Sequence, residues 1–214
     1  MAEHYWRRFD RTHQRGSLYL DADDFCVYYM DKTNGSRYEK GPNQDISNLK
    51  IDPAKETSLQ RKYGWKEKAI EQCALDMSGY LLNQRTLTPD NSVLVPIPSS
   101  KPRGYEGFDD RMTRVCTQIQ RITGIKCVDC LSTKKYLGSM HFNTLNRSIE
   151  QLAQNTSVDI AMIPDGIDYI ILVDDQLTKG THFKAMQSLF APMGYICIGI
   201  FWAREYYAGE HGAW

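Results

Sequence analysis

The chain has no excess of charge of either sign: 26 lysines and arginines are balanced by 26 aspartates and glutamates over 214 residues. That balance argues against a surface that coats nucleic acid or anionic membrane, and it leaves room for a local charged pocket. The opening stretch MAEHYWRRFDRTHQRG has no apolar stretch of the signal-sequence kind, and no later run approaches the length of a membrane span. A cytoplasmic protein is therefore expected. Cysteine is present but offers no disulfide framework, because most of the six thiols sit inside apolar periodic segments. CVDC at 127–130 lacks the second ligand pair of a zinc ribbon and lies in KCVDCL, which reads as a strand. Reduced, structural thiols are expected. Internal repeats and low-complexity tracts are also missing.

What remains is length enough for one α/β domain with an N-terminal extension. SLYLDADDFCVYYM reads as two short strands joined by the turn DADD, and DKTNGSRYEKGPNQ as a loop. Ile70, Cys73, Ala74, Met77 and Leu81 recur at helical spacing, one apolar face of a helix. From residue 92 strands and helices alternate. VLVPIP, KCVDCL, VDIAMI, YIILV and YICIGIFWA read as strands, VDIAMI being the weakest. The helix within FDDRMTRVCTQIQRITG turns Met112, Val115, Ile119 and Ile122 inward, with Asp109 or Asp110 at its start and Gly124 as its stop. NTLNRSIEQLAQ faces inward through Leu145, Ile149 and Leu152, and HFKAMQSLFAPMG is the last helix. Apolar strands separated by helices imply an α/β, Rossmann-like parallel sheet covered on both faces. Functional groups of such a sheet collect beyond the carboxyl ends of its strands.

At one such end stands VDDQLTKGTH, in which Asp174 and Asp175 close the YIILV strand. Adjacent carboxylates repel and are costly to desolvate, so something must compensate them. A receiver domain needs about a hundred residues after its acidic strand end, and only one helix and one strand follow. A P-loop needs GxxxxGK[ST], and LTKGTH lacks that spacing. A ribose-phosphate site fits better. Two carboxylates accept hydrogen bonds from vicinal hydroxyls, Thr178 and Thr181 offer hydroxyl donors, and Gly180 allows close backbone approach ahead of a helix N-terminus.

VDDQLTKGTH resembles the phosphoribosyl-diphosphate (PRPP) binding motif of type I phosphoribosyltransferases, over roughly residues 90–203. VLVPIPSSKPRGYEGFDDRM is similar to the VPVP…RG(F) segment of the ComF-like branch of that family, with Gly104 and Phe108 roughly in register. The resemblance implies residues 91–214 as a phosphoribosyltransferase-like core and residues 1–90 as an N-terminal β/α hood, together one compact unit. It implies Asp174 and Asp175 on the ribose hydroxyls. Thr178, Lys179, Gly180 and Thr181 would lie around the 5′-phosphate, with Val173, Gln176 and Leu177 framing the motif. Ser99, Ser100, Lys101 and Arg103 would form the pyrophosphate loop. Lys134 and Lys135 join the two aspartates as catalytic candidates, with Asp110, Arg111, His141 and Arg147 as further site candidates. Lys134, Lys135 and His141 lie in a segment that in the family closes over the substrate.

Nine basic residues stand against four acids between Ser99 and Arg147, a local excess of +5 near the phosphate loop. Mg²⁺ is the implied cofactor, held mainly through substrate and through Asp174 or Asp175. The implied partners are PRPP, a nitrogen acceptor (a nucleobase or amine) and a second copy in a homodimer. Trp202, Tyr206 and Tyr207 are candidates to stack on a planar acceptor, or to sit in the core or a dimer interface. Lys179 stands where the family most often has a second threonine. A PRPP- or nucleotide-binding regulator, or an RNA-binding or phage-defence effector on the same fold, is the competing expectation.

Overall fold

The structure is a computed structural model that describes residues 6–9, 19–21, 23–32, 42–52, 54–138 and 148–205. Among these, the strands are β1 (Arg7–Arg8), β2 (Phe25–Lys32), β3 (Ser92–Pro96), β4 (Lys126–Cys127), β5 (Leu131–Thr133), β6 (Thr156–Val158), β7 (Tyr169–Leu177) and β8 (Ile196–Glu205). The helices are α1 (Pro42–Leu49), α2 (Ser58–Tyr63), α3 (Trp65–Leu82), α4 (Arg111–Thr123), α5 (Ile149–Gln154) and α6 (Thr181–Phe190). Six strands form one sheet in the order β1-β2-β8-β7-β3-β4. Every neighbouring pair is parallel except β1 with β2. β5 and β6 pair antiparallel in a small second sheet. The protein is thus α/β with a mostly parallel mixed sheet.

The central strands are apolar on both sides because both sides are covered. One face, with Leu94, Ile171, Val173 and Ile200, packs against α1, α3 and α4 through Leu49, Ile70, Met77, Val115 and Ile119. The other, with Val93, Val95, Ile170 and Leu172, packs against α5 and α6 through Leu152, Phe183, Met186 and Phe190. Each such side chain, fully buried, stabilises by about 1.5–3 kcal/mol. All five positions of the α3 stripe, Ile70, Cys73, Ala74, Met77 and Leu81, are buried as the periodicity requires. Gly124 ends α4 in the left-handed conformation at φ 79°. No helix among the described residues is long and apolar enough to cross a membrane.

Several local expectations change. β7 does not stop at Val173; it runs on through both aspartates to Leu177, since β8 keeps pairing with it as far as Leu177↔Arg204. VDIAMI is not a strand: Thr156–Val158 form β6 and Ile160–Met162 a 3₁₀ turn. KCVDCL splits between β4 and β5, because Asp129 turns aside to Arg103 and Thr113. Of SLYLDADDFCVYYM, Tyr19 and Leu20 lie outside any strand and only Phe25 onward is one. Pro42–Leu49 form a helix that takes the end of the supposed loop. Ile122 on α4 is exposed, unlike the rest of its stripe. Leu145 lies outside the described residues. All six cysteines are free, five of them buried.

The described residues before position 91 are not set apart from the sheet. β2 lies beside β8, pairing Phe25 with Ile198 and Lys32 with Glu205, and α3 shares its core with α4.

Candidate functional site

A cavity of about 430 Å³ opens where β3, β7 and β8 end, floored by Pro96, Asp174, Asp175 and Glu205. Its volume falls in the range of small-molecule sites, about 300–1,000 Å³. The loop after β3 walls one part of it, through Ser99, Ser100, Lys101 and Arg103. The turn from β7 into α6 walls another, through Thr178, Lys179, Thr181 and His182.

The two aspartates have different surroundings, because successive strand residues point to opposite faces. Asp174 turns toward α6. Its Oδ1 accepts a hydrogen bond from the Asp175 amide at 2.8 Å, and its Oδ2 lies 3.7 Å from His182 Nδ1. Asp175 turns toward α4 and its side chain is only 4% exposed. Arg111 clamps Asp175 Oδ2 through Nε at 2.8 Å and Nη2 at 2.6 Å, and Lys50 Nζ sits 3.1 Å from Oδ1. Burial alone would raise the Asp175 carboxyl, but Lys50 and Arg111 outweigh it and hold it at about 2. Burial likewise opposes the charge on Arg111, and Asp175 with Asp109 pushes that guanidinium up instead. The repulsion expected of the pair is therefore relieved inside the protein: Asp175 is neutralised by two cations.

These contacts continue in both directions. Arg111 Nη1 reaches Asp109 at 2.7 Å, and Asp109 reaches Lys66 at 2.9 Å. Lys66 is itself buried and donates to the Ile51 carbonyl at 2.6 Å. On the other side Lys50 donates to Gln176 Oε1 at 2.8 Å, Gln176 donates to Glu205, and Lys32 pairs with Glu205 at 2.9 Å. A polar chain thus runs under the cavity from α3 to β2.

The turn into α6 is built around Gly180. Gly180 is left-handed at φ 79°, and no side chain caps the helix start that follows it. Yet Gly180 is required for a reason other than approach to a ligand. A Cβ there would meet Leu20 Cγ at 2.6 Å. The Tyr19 amide donates to the Lys179 carbonyl at 2.9 Å. Lys184 then ties the same segment to α6 through Asp21 at 3.0 Å and Asp24 at 2.9 Å. Tyr19, Leu20, Asp21 and Asp24 thereby strap the loop from outside, and Tyr19 forms part of the cavity wall. Val173 and Leu177 are buried in the core and do not face the cavity, whereas Gln176 does.

The basic candidates divide. Lys101 and Arg103 border the cavity, Lys101 lying 3.8 Å from Asp52 and Arg103 2.7 Å from Asp129. Thr133 fixes the loop by donating to the Ser99 carbonyl at 2.6 Å. Lys134 and Lys135 do not line the cavity. Lys134 Nζ instead caps the end of α5 at the Gln154 carbonyl, 2.8 Å away, and Lys135 pairs through its backbone with Asn155. Asp110 is exposed beside α4, away from the lining, and gives no side-chain cap. His141 and Arg147 lie outside the described residues, as do Tyr206 and Tyr207. Trp202 is buried and donates to Asp76 at 2.8 Å, so it belongs to the core and not to a stacking platform. The local excess of positive charge is offset by acids from elsewhere: Asp52, Glu67 and Asp175 pair with Lys101, Arg114 and Arg111.

Sequence reading missed Lys50, Lys66, Tyr19, His182 and Glu205. Lys66 carried a signal, since it stands four residues before Ile70 on the buried stripe of α3, where a lysine requires a partner. Lys50, Tyr19 and Glu205 pair across long stretches of chain and leave no local mark, whereas His182 stands within the VDDQLTKGTH motif and meets Asp174 eight positions before it. Among the described residues no three His, Cys, Asp or Glu side chains come together to hold a metal ion. Asp174 remains a single hard carboxylate facing the cavity, which suits Mg²⁺ carried mainly by substrate oxygens. Asp175, with both oxygens engaged by cations, does not suit it.

No family model matches this chain, and no curated protein matches its sequence.

Proposed function

We propose that this protein is a phosphoribosyltransferase of the type I fold that binds PRPP and transfers its phosphoribosyl group to a nitrogen acceptor. The observation that carries this reading is convergence. An uncapped helix start after a glycine turn, a half-buried Asp174 and a basic loop after β3 surround one cavity at the carboxyl ends of parallel strands. Thr178, Thr181 and the first amides of α6 hold the 5′-phosphate, with Lys179 adding charge. Asp174 accepts hydrogen bonds from the ribose hydroxyls. Ser99, Ser100, Lys101 and Arg103 receive the diphosphate.

In the reaction the bond from the anomeric carbon to the diphosphate breaks with the electron pair leaving on the diphosphate, a bond to the acceptor nitrogen forms, and that nitrogen loses its proton to solvent. The protein holds the sugar, neutralises the leaving group and keeps water out. Mg²⁺, when bound through substrate oxygens and Asp174, supplies further neutralisation of the diphosphate. Titration calorimetry with PRPP and magnesium, followed by a pyrophosphate-release assay over a panel of nucleobases and amines, tests the reading. Binding and magnesium-dependent release are expected from the wild type, with release lost in Asp174→Asn. Absence of PRPP binding by the wild type sinks the proposal.

One observation favours a second reading. Asp175, which in the family motif meets the ribose, is committed here to Arg111 and Lys50. A protein that binds PRPP or a nucleotide as a signal, without turnover, needs only the phosphate loop and Asp174. PRPP binding with no pyrophosphate release across the whole panel would select it.

A further inference from the structure

Lys50 and Arg111 come from different parts of the chain, the residue after α1 and the first residue of α4, and meet only at Asp175. Both line the cavity, and neither is saturated. An ammonium has three N–H bonds and a guanidinium five. Lys50 spends its donors on Asp175 and Gln176, and Arg111 spends Nε, one Nη1 and one Nη2 donor on Asp175 and Asp109. One N–H of Lys50 and two of Arg111 are left over by this count. Asp175 fixes the lysine on one oxygen and the arginine on the other, so both heads are placed before any ligand arrives.

We propose that Lys50 and Arg111 form a second oxyanion-binding position of the cavity, held in place by Asp175. It takes an anionic group of the ligand other than the one received at Thr178–Thr181. This rests on the phosphoribosyltransferase reading and extends it, since it makes Asp175 a positioning residue and brings Lys50, outside the 91–214 core, into the site. Two sources supply such a group: the diphosphate of PRPP, or a carboxylate on the acceptor. A charge-assisted hydrogen bond contributes enough for the loss of Lys50 to weaken that group by about tenfold or more.

The test is titration calorimetry on the full chain, wild type against Lys50→Met, with Asp175→Asn as a second variant that keeps both cations and removes their anchor. The probes are ribose 5-phosphate, PRPP and inorganic pyrophosphate, each with magnesium, and 2-aminobenzoate against aniline in the presence of PRPP. If the diphosphate is the source, both variants lose PRPP and pyrophosphate about tenfold and keep ribose 5-phosphate. If the acceptor is the source, PRPP is unchanged and the wild type's preference for 2-aminobenzoate over aniline disappears. Equal weakening of all probes, or no weakening of any, overturns the proposal. Wild type that ignores both sugar phosphates but holds pyrophosphate through Lys50 would end the phosphoribosyltransferase reading and leave this site standing. Wild type that binds none of the anions ends both.

Discussion

Replacing Asp175 by asparagine keeps the shape of the side chain and removes its charge, leaving Arg111 with Asp109 and Lys50 with Gln176. The cost follows from the carboxyl's displacement from 3.8 to about 2. Its folded value is depressed, so the stabilisation is complete above the unfolded value and is lost as pH falls through the folded one. At neutral pH that displacement is worth about 2 kcal/mol, falling to about 1 kcal/mol at pH 3 and nearly vanishing by pH 2. The group is almost fully buried, so solvent does little to screen it. Urea unfolding followed by tryptophan fluorescence measures this directly, because Trp202 is buried in the core beside β7. Wild type and Asp175→Asn should differ by about 2 kcal/mol at pH 7, and the gap should narrow by about 1 kcal/mol at pH 3. The other carboxylates titrate in both proteins and cancel. A gap that stays constant between pH 7 and pH 3, or no gap at pH 7, would refute the claim that Lys50 and Arg111 stabilise this carboxylate.

Two further outcomes test the packing around the site. Gly180→Ala places a Cβ 2.6 Å from Leu20 in a left-handed turn, and should cost about 2 kcal/mol or more in urea unfolding. Beside Leu20→Ala, which removes the contacted atoms, Gly180→Ala should cost less in the same measurement than it does in the wild type. Gly199→Ala drives a methyl to 2.7 Å from Phe201 and 2.8 Å from Cys26, and should lower thermal stability by about 1–3 kcal/mol with little change at the cavity.

The layers of the fold were legible because burial imposes a period on the sequence. The α3 stripe, the apolar strands and the glycine stop of α4 all come from local spacing, and all lie where that spacing puts them. The extent of β7 was not legible. DDQL looks like a loop, and it is a strand only because β8 offers it a partner, Asp174 meeting Phe201 and Leu177 meeting Arg204. The site was legible in the same measure. Its loops and Asp174 are read from a contiguous motif. The fate of Asp175 depends on Lys50 and Arg111, each more than sixty positions away, and no window along the chain contains all three. Alternation along a strand did carry one clue, since neighbouring side chains leave it toward opposite faces and meet different partners. Lys134 and Lys135 are candidates by charge and by the family resemblance of their segment, and Lys134 meets a helix end instead.

The place of β2 in the sheet bears on how the protein is made. Phe25 pairs with Ile198, and the partner strand is among the last parts of the described chain to be synthesised. β3 and β7 can pair once residue 177 has emerged, but β2 must wait until residues 196–205 follow and slot between it and β7. Until then Phe25–Lys32 and Tyr169–Leu177 each present an open edge to whatever strand is near. The step that closes those edges also brings Glu205 to Gln176 and Lys32, so completion of the cavity floor and protection from mispairing arrive in the same event.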